Sequence, residues 1–206
     1  MLRDIFIPLL SKYSEDPEYI TSLWNGVYNN HHKKNRYYHN ITHLENLYQN
    51  LLSIESDIKD WDITLFALFY HDYYYNILKK DNEERSAQKA VTVLDILSVS
   101  KQRIGLCKEM IMATKGHQIS ENNDINYFTD ADLSILGSNW PDYKDYYKNV
   151  RKEYKYYPDF IYHKGRLQVL QHFIDMPRIF KTTYFYNKYE KQAKSNLLQE
   201  INLLSK

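Results

Sequence analysis

Apolar residues recur at three- and four-residue spacing along almost the whole chain, while strand-length alternation of apolar and polar residues is scarce. That pattern commits the chain to helices. Asp16 before Pro17 is an N-cap followed by a proline at the first helical position, and Ile20, Leu23, Trp24 and Val27 form the apolar face behind it. A polar break over 29–35 ends this helix. The next runs from about Asn40 through Leu44, Leu47, Leu51 and Leu52, and a third from Asp60 to about 71–74. The third is apolar nearly all round, which predicts a central, buried helix. Asp81 and Glu84 have the spacing of a capping box for a helix bearing Ala87, Ala90, Val91, Leu94 and Leu97. Further helices are expected over 101–114 with a C-cap at Gly116, over 124–136 closed by Gly137, from Pro141 to about Tyr156, over 160–175 and over 184–204. The expected architecture is an all-α helical bundle. The weakest stretch, Gly137 to Pro141, reads as a loop within one domain spanning 1–206.

Composition removes several classes of function. The 27 Lys and Arg against 26 Asp and Glu leave a formal net charge of +1, without the basic excess of a nucleic-acid-binding domain, so no stable nucleic-acid partner is expected. The run His31-His32-Lys33-Lys34 reads as a solvated loop. Cys107 is the single cysteine, so an internal disulfide and a cysteine-built zinc site are both excluded. The longest strongly apolar run, Leu65 to Tyr70, is far too short to span a membrane, and Met1 to Leu10 lacks the features of a secretory signal. A cytoplasmic protein with no membrane partner is expected.

His71-Asp72 needs an explanation. An imidazole and a carboxylate at the end of the most apolar helix are costly to bury unpaired, and a metal ion would take both as ligands. His39 and His43, four residues apart, share a helix face one hairpin earlier, and Asp130-Ala131-Asp132 follows near another helix. His43, His71, Asp72 and Asp132 can thus converge on one point. Two nitrogens with two or more oxygens suit one divalent ion, and manganese, iron, magnesium and zinc all remain open.

The ordered His … His-Asp … Asp pattern resembles the HD superfamily of metal-dependent phosphohydrolases, and in particular bacterial proteins described as predicted metal-dependent HD phosphohydrolases. The stretches carrying the resemblance are Tyr38-His39-Asn40-Ile41-Thr42-His43, Phe69-Tyr70-His71-Asp72 and Asp81-Asn82-Glu83-Glu84-Arg85-Ser86-Ala87. They continue with Ala113-Thr114-Lys115-Gly116-His117, then Asp130 to Gly137, and Val150-Arg151-Lys152-Glu153-Tyr154. The resemblance covers about residues 20 to 200 and implies an HD-domain-like helical bundle, with 140–206 as accessory helices packed on a metal-binding core.

It also implies roles. His43, His71, Asp72 and Asp132 carry over as metal ligands, with Asp130 competing for the last place. Asp72 or Glu83 is expected to accept or orient the proton of a water, His39 to support the site or touch phosphate, and Lys115 or His117 to neutralise a phosphoryl group at the rim. His117 would also serve a second metal. Arg36, Arg85 and Arg151 are further phosphate candidates, although Glu83 and Glu84 offer Arg85 an ion pair and Arg151 suits a salt bridge. The eight residues after Asp72, Tyr73 to Lys80, contain no acid, so a general acid must come from elsewhere. No Gly follows the His-Asp pair, unlike the cyclic-dinucleotide phosphodiesterases of the superfamily.

The resulting expectation is hydrolysis of a phosphate ester, such as a nucleotide or another small phosphorylated metabolite, by metal-activated water. The alternative is a non-catalytic metal- or nucleotide-binding module on the same fold. Among the 21 tyrosines, Tyr73 to Tyr75 adjoin the ligand pair and could stack a base, though packing explains them more simply; an exposed tyrosine face could support a homodimer.

Overall fold

The computed structural model describes residues 1–205, and over these the protein is all-α, with no strand. Its contacts divide it into two compact units, Met1–Thr129 and Asp130–Lys206.

The first unit holds α1 (Leu2–Ser11), α2 (Pro17–His31), α3 (Ile41–Leu52), α4 (Trp61–Tyr70), α5 (Asn82–Ile96), α6 (Lys101–Ala113) and most of α7 (Asn123–Asp132). Every residue of α4 from Ile63 to Tyr70 is buried, as its unbroken apolar character demands. Helix α4 packs against α3, α5 and α6. Phe6 of α1 joins it to α2, its ring lying 4.9 Å from Phe69 edge-on and 5.5 Å from Trp24.

The start of α4 is fixed from several sides. Asp60 caps it by accepting from the Ile63 N–H at 3.1 Å, and Arg103 of α6 donates to both Asp60 oxygens at 2.7 and 2.8 Å. Burial would raise the Asp60 pKa, but the Arg103 fork and the cap hold it below the usual value. Asp124 of α7 accepts from the Lys59 and Asp60 N–H groups at 3.0 Å each. A rigid start and a fully buried body fix where α4 ends, which is at His71.

Two local expectations fail. Asp81 makes no side-chain cap, and the Glu84 carboxylate accepts from Lys115 Nζ rather than reaching back to residue 81. After α6 the left-handed position belongs to His117, with φ of 49°, rather than to Gly116; the His117 N–H closes onto the Ala113 carbonyl at 2.8 Å.

The second unit contains the end of α7, a 3-10 turn at Leu133–Gly137, α8 (Trp140–Glu153), α9 (Asp159–Asp175) and α10 (Thr183–Leu204). Helix α10 packs on the 3-10 turn and on α9. Gly137 is required there, since a Cβ would stand 2.5 Å from the Tyr189 Cβ and 2.7 Å from its carbonyl oxygen. Asn196 donates to the Leu136 and Ser138 carbonyls at 2.9 and 2.8 Å. In the interior, Tyr143 and Arg166 both donate to Glu200, and all three side chains are buried.

Candidate metal centre

His71 follows α4 directly and keeps helical backbone angles, its N–H bonded to the Ala67 carbonyl at 2.8 Å. Its Nδ1 lies 2.9 Å from the Leu68 carbonyl oxygen. A carbonyl only accepts, so Nδ1 carries the proton and Nε2 presents a lone pair. His43 stands in the first turn of α3, where Asn40 caps the helix through the Thr42 N–H at 2.9 Å. The two Nε2 atoms are 3.1 Å apart, and both rings are buried.

Asp72 adds its Oδ2, 3.3 Å from His71 Nε2 and 3.8 Å from His43 Nε2. Burial would raise its pKa, but the neighbouring His71, with His39 and His43, outweighs that and holds the carboxyl well below the usual range. Two nitrogens bound to one divalent ion at about 2.1 Å, with an angle of about 90–100°, stand about 3.0–3.2 Å apart, and the donor set fits that arrangement.

The fourth residue sits on α7. The unit boundary falls inside that helix, and Asp132 is its last residue. His43 and His71 belong to the first unit and Asp132 to the second, and His43 and His71 each offer one ligand atom to an ion. Asp130, the competing choice, is fully buried and engaged elsewhere. Its carboxylate accepts from the Lys181 N–H at 3.0 Å, the Thr182 N–H at 2.7 Å and the Thr182 hydroxyl at 2.8 Å.

His39 lies beside His43, with ring centroids 5.8 Å apart, and stacks on Tyr75 at 4.3 Å. Glu83 and Lys115 are placed differently. Lys115 Nζ donates to Glu84 and to the Lys80 carbonyl on the surface, an arrangement that already satisfies its charge. Glu83 is half-buried on the first turn of α5. His117 has its backbone set as described above. The expected ion pair of Arg85 with Glu83 or Glu84 does not form; its guanidinium lies over the Tyr74 ring, 4.5 Å from the centroid. Arg151 holds Asp159 and the Tyr154 and Tyr157 carbonyls, a structural use.

Arg36 has a different task from the phosphate contact suggested by its charge. Its Nη1 donates to the His39 carbonyl at 3.2 Å and the Asp72 carbonyl at 2.7 Å, and its Nη2 donates to the Tyr73 carbonyl at 3.0 Å. The planar fork thereby ties the corner that leads into His43 to the turn that carries Asp72. Ser86, fully buried on α5, fixes the same turn by accepting from the Tyr74 N–H at 3.0 Å. Arg36→Lys keeps the charge but loses the fork, and is expected to weaken metal binding by about 10–100-fold, the usual cost of disturbing the groups that orient ligands. Competition against a chelating dye measures this; wild-type affinity in a folded variant would remove Arg36 from that role.

His31, at the end of α2, is buried beside this framework. Its Nδ1 donates to the Val27 carbonyl at 2.8 Å, while burial and the nearby Arg36 push its pKa down to about 3. In the unfolded chain it titrates near 6.5, so between these values the unfolded state binds the extra proton and stability falls as pH falls. From pH 6.5 to 4.5 this contributes about 2–3 kcal/mol of loss. Urea unfolding of metal-free His31→Asn protein is expected to lack that component; an unchanged pH dependence would contradict it.

No family model, curated protein or solved structure matches the chain. Among the described residues, no helix is long and apolar enough to cross a membrane.

Proposed function

We propose that this chain is a metal-dependent phosphohydrolase of the HD kind, acting on a nucleotide or another small phosphate ester. The observation that carries the reading is the approach of His43 and His71, Nε2 to Nε2 at 3.1 Å, with the anionic Asp72 at 3.3 and 3.8 Å. Two buried imidazole Nε2 atoms facing one another beside a carboxylate have the chemistry of a cation site. His43, His71, Asp72 and Asp132 would hold the ion. When bound, a divalent ion lowers the pKa of water and polarises phosphoryl oxygens.

The chain's own residues supply the rest. The carbonyl of Leu68 fixes the His71 tautomer, so Nε2 stays a donor of electrons rather than of a proton. Asp72 remains ionised at neutral pH and can accept the proton of a water lying beside it. Arg36 keeps the two ligand-bearing segments in register, and Tyr75 holds the His39 ring in place. A panel of phosphate mono- and diesters, run with manganese, iron, zinc and magnesium in turn, tests the proposal. Metal-dependent release of phosphate that chelation abolishes is the expected result. Tight metal binding with no turnover across the panel would favour a binding module.

A further inference from the structure

We propose that Lys33, Arg85 and Lys89 form an anion subsite beside the turn that carries Asp72, and that it takes a second phosphoryl group of the substrate, so that diphosphates are preferred over monophosphates. The inference rests on the phosphohydrolase reading and deepens it. All three residues belong to the first unit, as do Asp72 and the tyrosines that follow it. Lys33 lies just past the end of α2, and Arg85 and Lys89 stand about one turn apart on α5.

Two consecutive tyrosines next to Asp72 set the α5 cations in place. The Arg85 guanidinium lies 4.5 Å from the centroid of the Tyr74 ring and the Lys89 ammonium 5.7 Å from that of Tyr73, while the two rings meet edge-on at 5.1 Å. A ring under the flat face of a guanidinium leaves the in-plane N–H groups of the fork to other acceptors. Tyr73 is itself seated on α2, where a Cβ added at Gly26 would stand 2.8 Å from its hydroxyl oxygen. One turn further along, Asn30 donates to the Gly26 carbonyl at 2.9 Å and accepts from Lys33 Nζ at 2.6 Å. The same short stretch of α2 therefore holds both Tyr73 and Lys33.

Among the described residues, none of the three cations pairs with a carboxylate: Lys33 meets a neutral amide, and the other two rest on neutral rings. Like charges one turn apart on a helix repel. Lys33 adds to that crowding, since the protein surface around it and then the charges of Arg36 and Arg85 hold its ammonium below the usual pKa. Glu84, next to Arg85 in the chain, is committed to Lys115. A phosphoryl group supplies the missing negative charge, with oxygens for a guanidinium fork and for point-charge ammonium donors. Arg36, whose charge reaches Lys33, also holds the Asp72 carbonyl at 2.7 Å, so the cluster flanks the turn that presents Asp72. With one phosphoryl group at the ion, the next one along the ester is the anion these cations would receive.

The first arm of the test titrates inorganic pyrophosphate into the metal-free full chain by calorimetry, in wild type, Lys33→Met, Arg85→Met and, as a control for diffuse charge, Lys34→Met. All three substituted side chains are exposed, which favours retention of the fold. The expected result is a loss of at least tenfold in affinity for Lys33→Met and Arg85→Met, with Lys34→Met like wild type. Undiminished affinity in the first two, or an equal loss in the control, would overturn the subsite and leave the metal centre and the hydrolase reading standing. The second arm measures KM for nucleoside mono- and diphosphates with the metal-loaded protein. A rise of at least tenfold in Arg85→Met for the diphosphate alone is expected; equal changes for both would overturn the assignment to a second phosphoryl group. Pyrophosphate binding that needs Lys33 and Arg85, in a protein that turns over no ester, would overturn the hydrolase reading and leave a site for the free anion.

Discussion

Asp72→Asn protein is expected to hydrolyse phosphate esters at least about a thousandfold more slowly than wild type while folding normally, a loss of about 4 kcal/mol in transition-state stabilisation. The substitution is nearly isosteric, and the tie from Arg36 goes to the backbone carbonyl of residue 72, which it leaves intact. What disappears is the charge. The Asp72 carboxyl is kept ionised by His71, His39 and His43 against the effect of its burial, and its Oδ2 faces both imidazoles. The amide is a poorer metal ligand and cannot accept the proton of an attacking water. Initial rates with a saturating metal, compared with circular dichroism of the same samples, check the expectation. Activity within tenfold of wild type would exclude Asp72 from the chemistry.

The second large effect concerns stability. Glu200→Ala is expected to cost about 3–5 kcal/mol, because it leaves the Arg166 guanidinium buried without its counter-charge. Arg166 donates to Glu200 at 2.8 and 2.9 Å, and Tyr143 donates to the same carboxylate from a fully buried ring. Burial alone would lower the Arg166 pKa, but Tyr146, Glu200 and Tyr143 more than compensate and keep it charged, so neutralisation offers no escape. The double variant Arg166→Met with Glu200→Ala is expected to be more stable than Glu200→Ala alone, since removing both charges leaves neither stranded. Urea denaturation measures all three proteins. A single-variant loss below about 1 kcal/mol would show that water reaches the guanidinium.

Much of the helical plan is legible in the sequence, because local chemistry governs it. Asp16 before Pro17, Asn40 and Asp60 each cap the helix that follows, and the apolar run that ends at Tyr70 is the buried helix α4. Helix α1 gives weaker signals, as its N-cap is Met1 without a side-chain cap and Pro8 lies in its interior. The Glu84 half of the expected capping box is lost to a tertiary partner: Lys115, 31 residues away, takes its carboxylate. Arg85 likewise chooses the Tyr74 face over its acidic neighbours.

The centre divides along the same line. His43, His71 and Asp72 are conspicuous because imidazoles and a carboxylate at the end of an apolar helix demand a partner, and the structure brings them within 4 Å. The choice between Asp130 and Asp132 depends on what each touches, and only the folded chain shows that Thr182 and Lys181 engage Asp130. Arg36 is visible as a charge, but its three carbonyl partners lie on segments up to 37 residues away, so its positioning role has no local signature.

The most direct measurement is the metal content of tag-free protein by elemental analysis, with Asp72→Ala purified in parallel. Growth is supplemented with manganese and iron, and chelators are avoided throughout. The expected result is about one divalent ion per wild-type chain and less than about a tenth of that in the variant, as the loss of an anionic ligand requires. A wild-type protein that remains metal-free even after deliberate loading would contradict the metal centre and the hydrolysis built upon it.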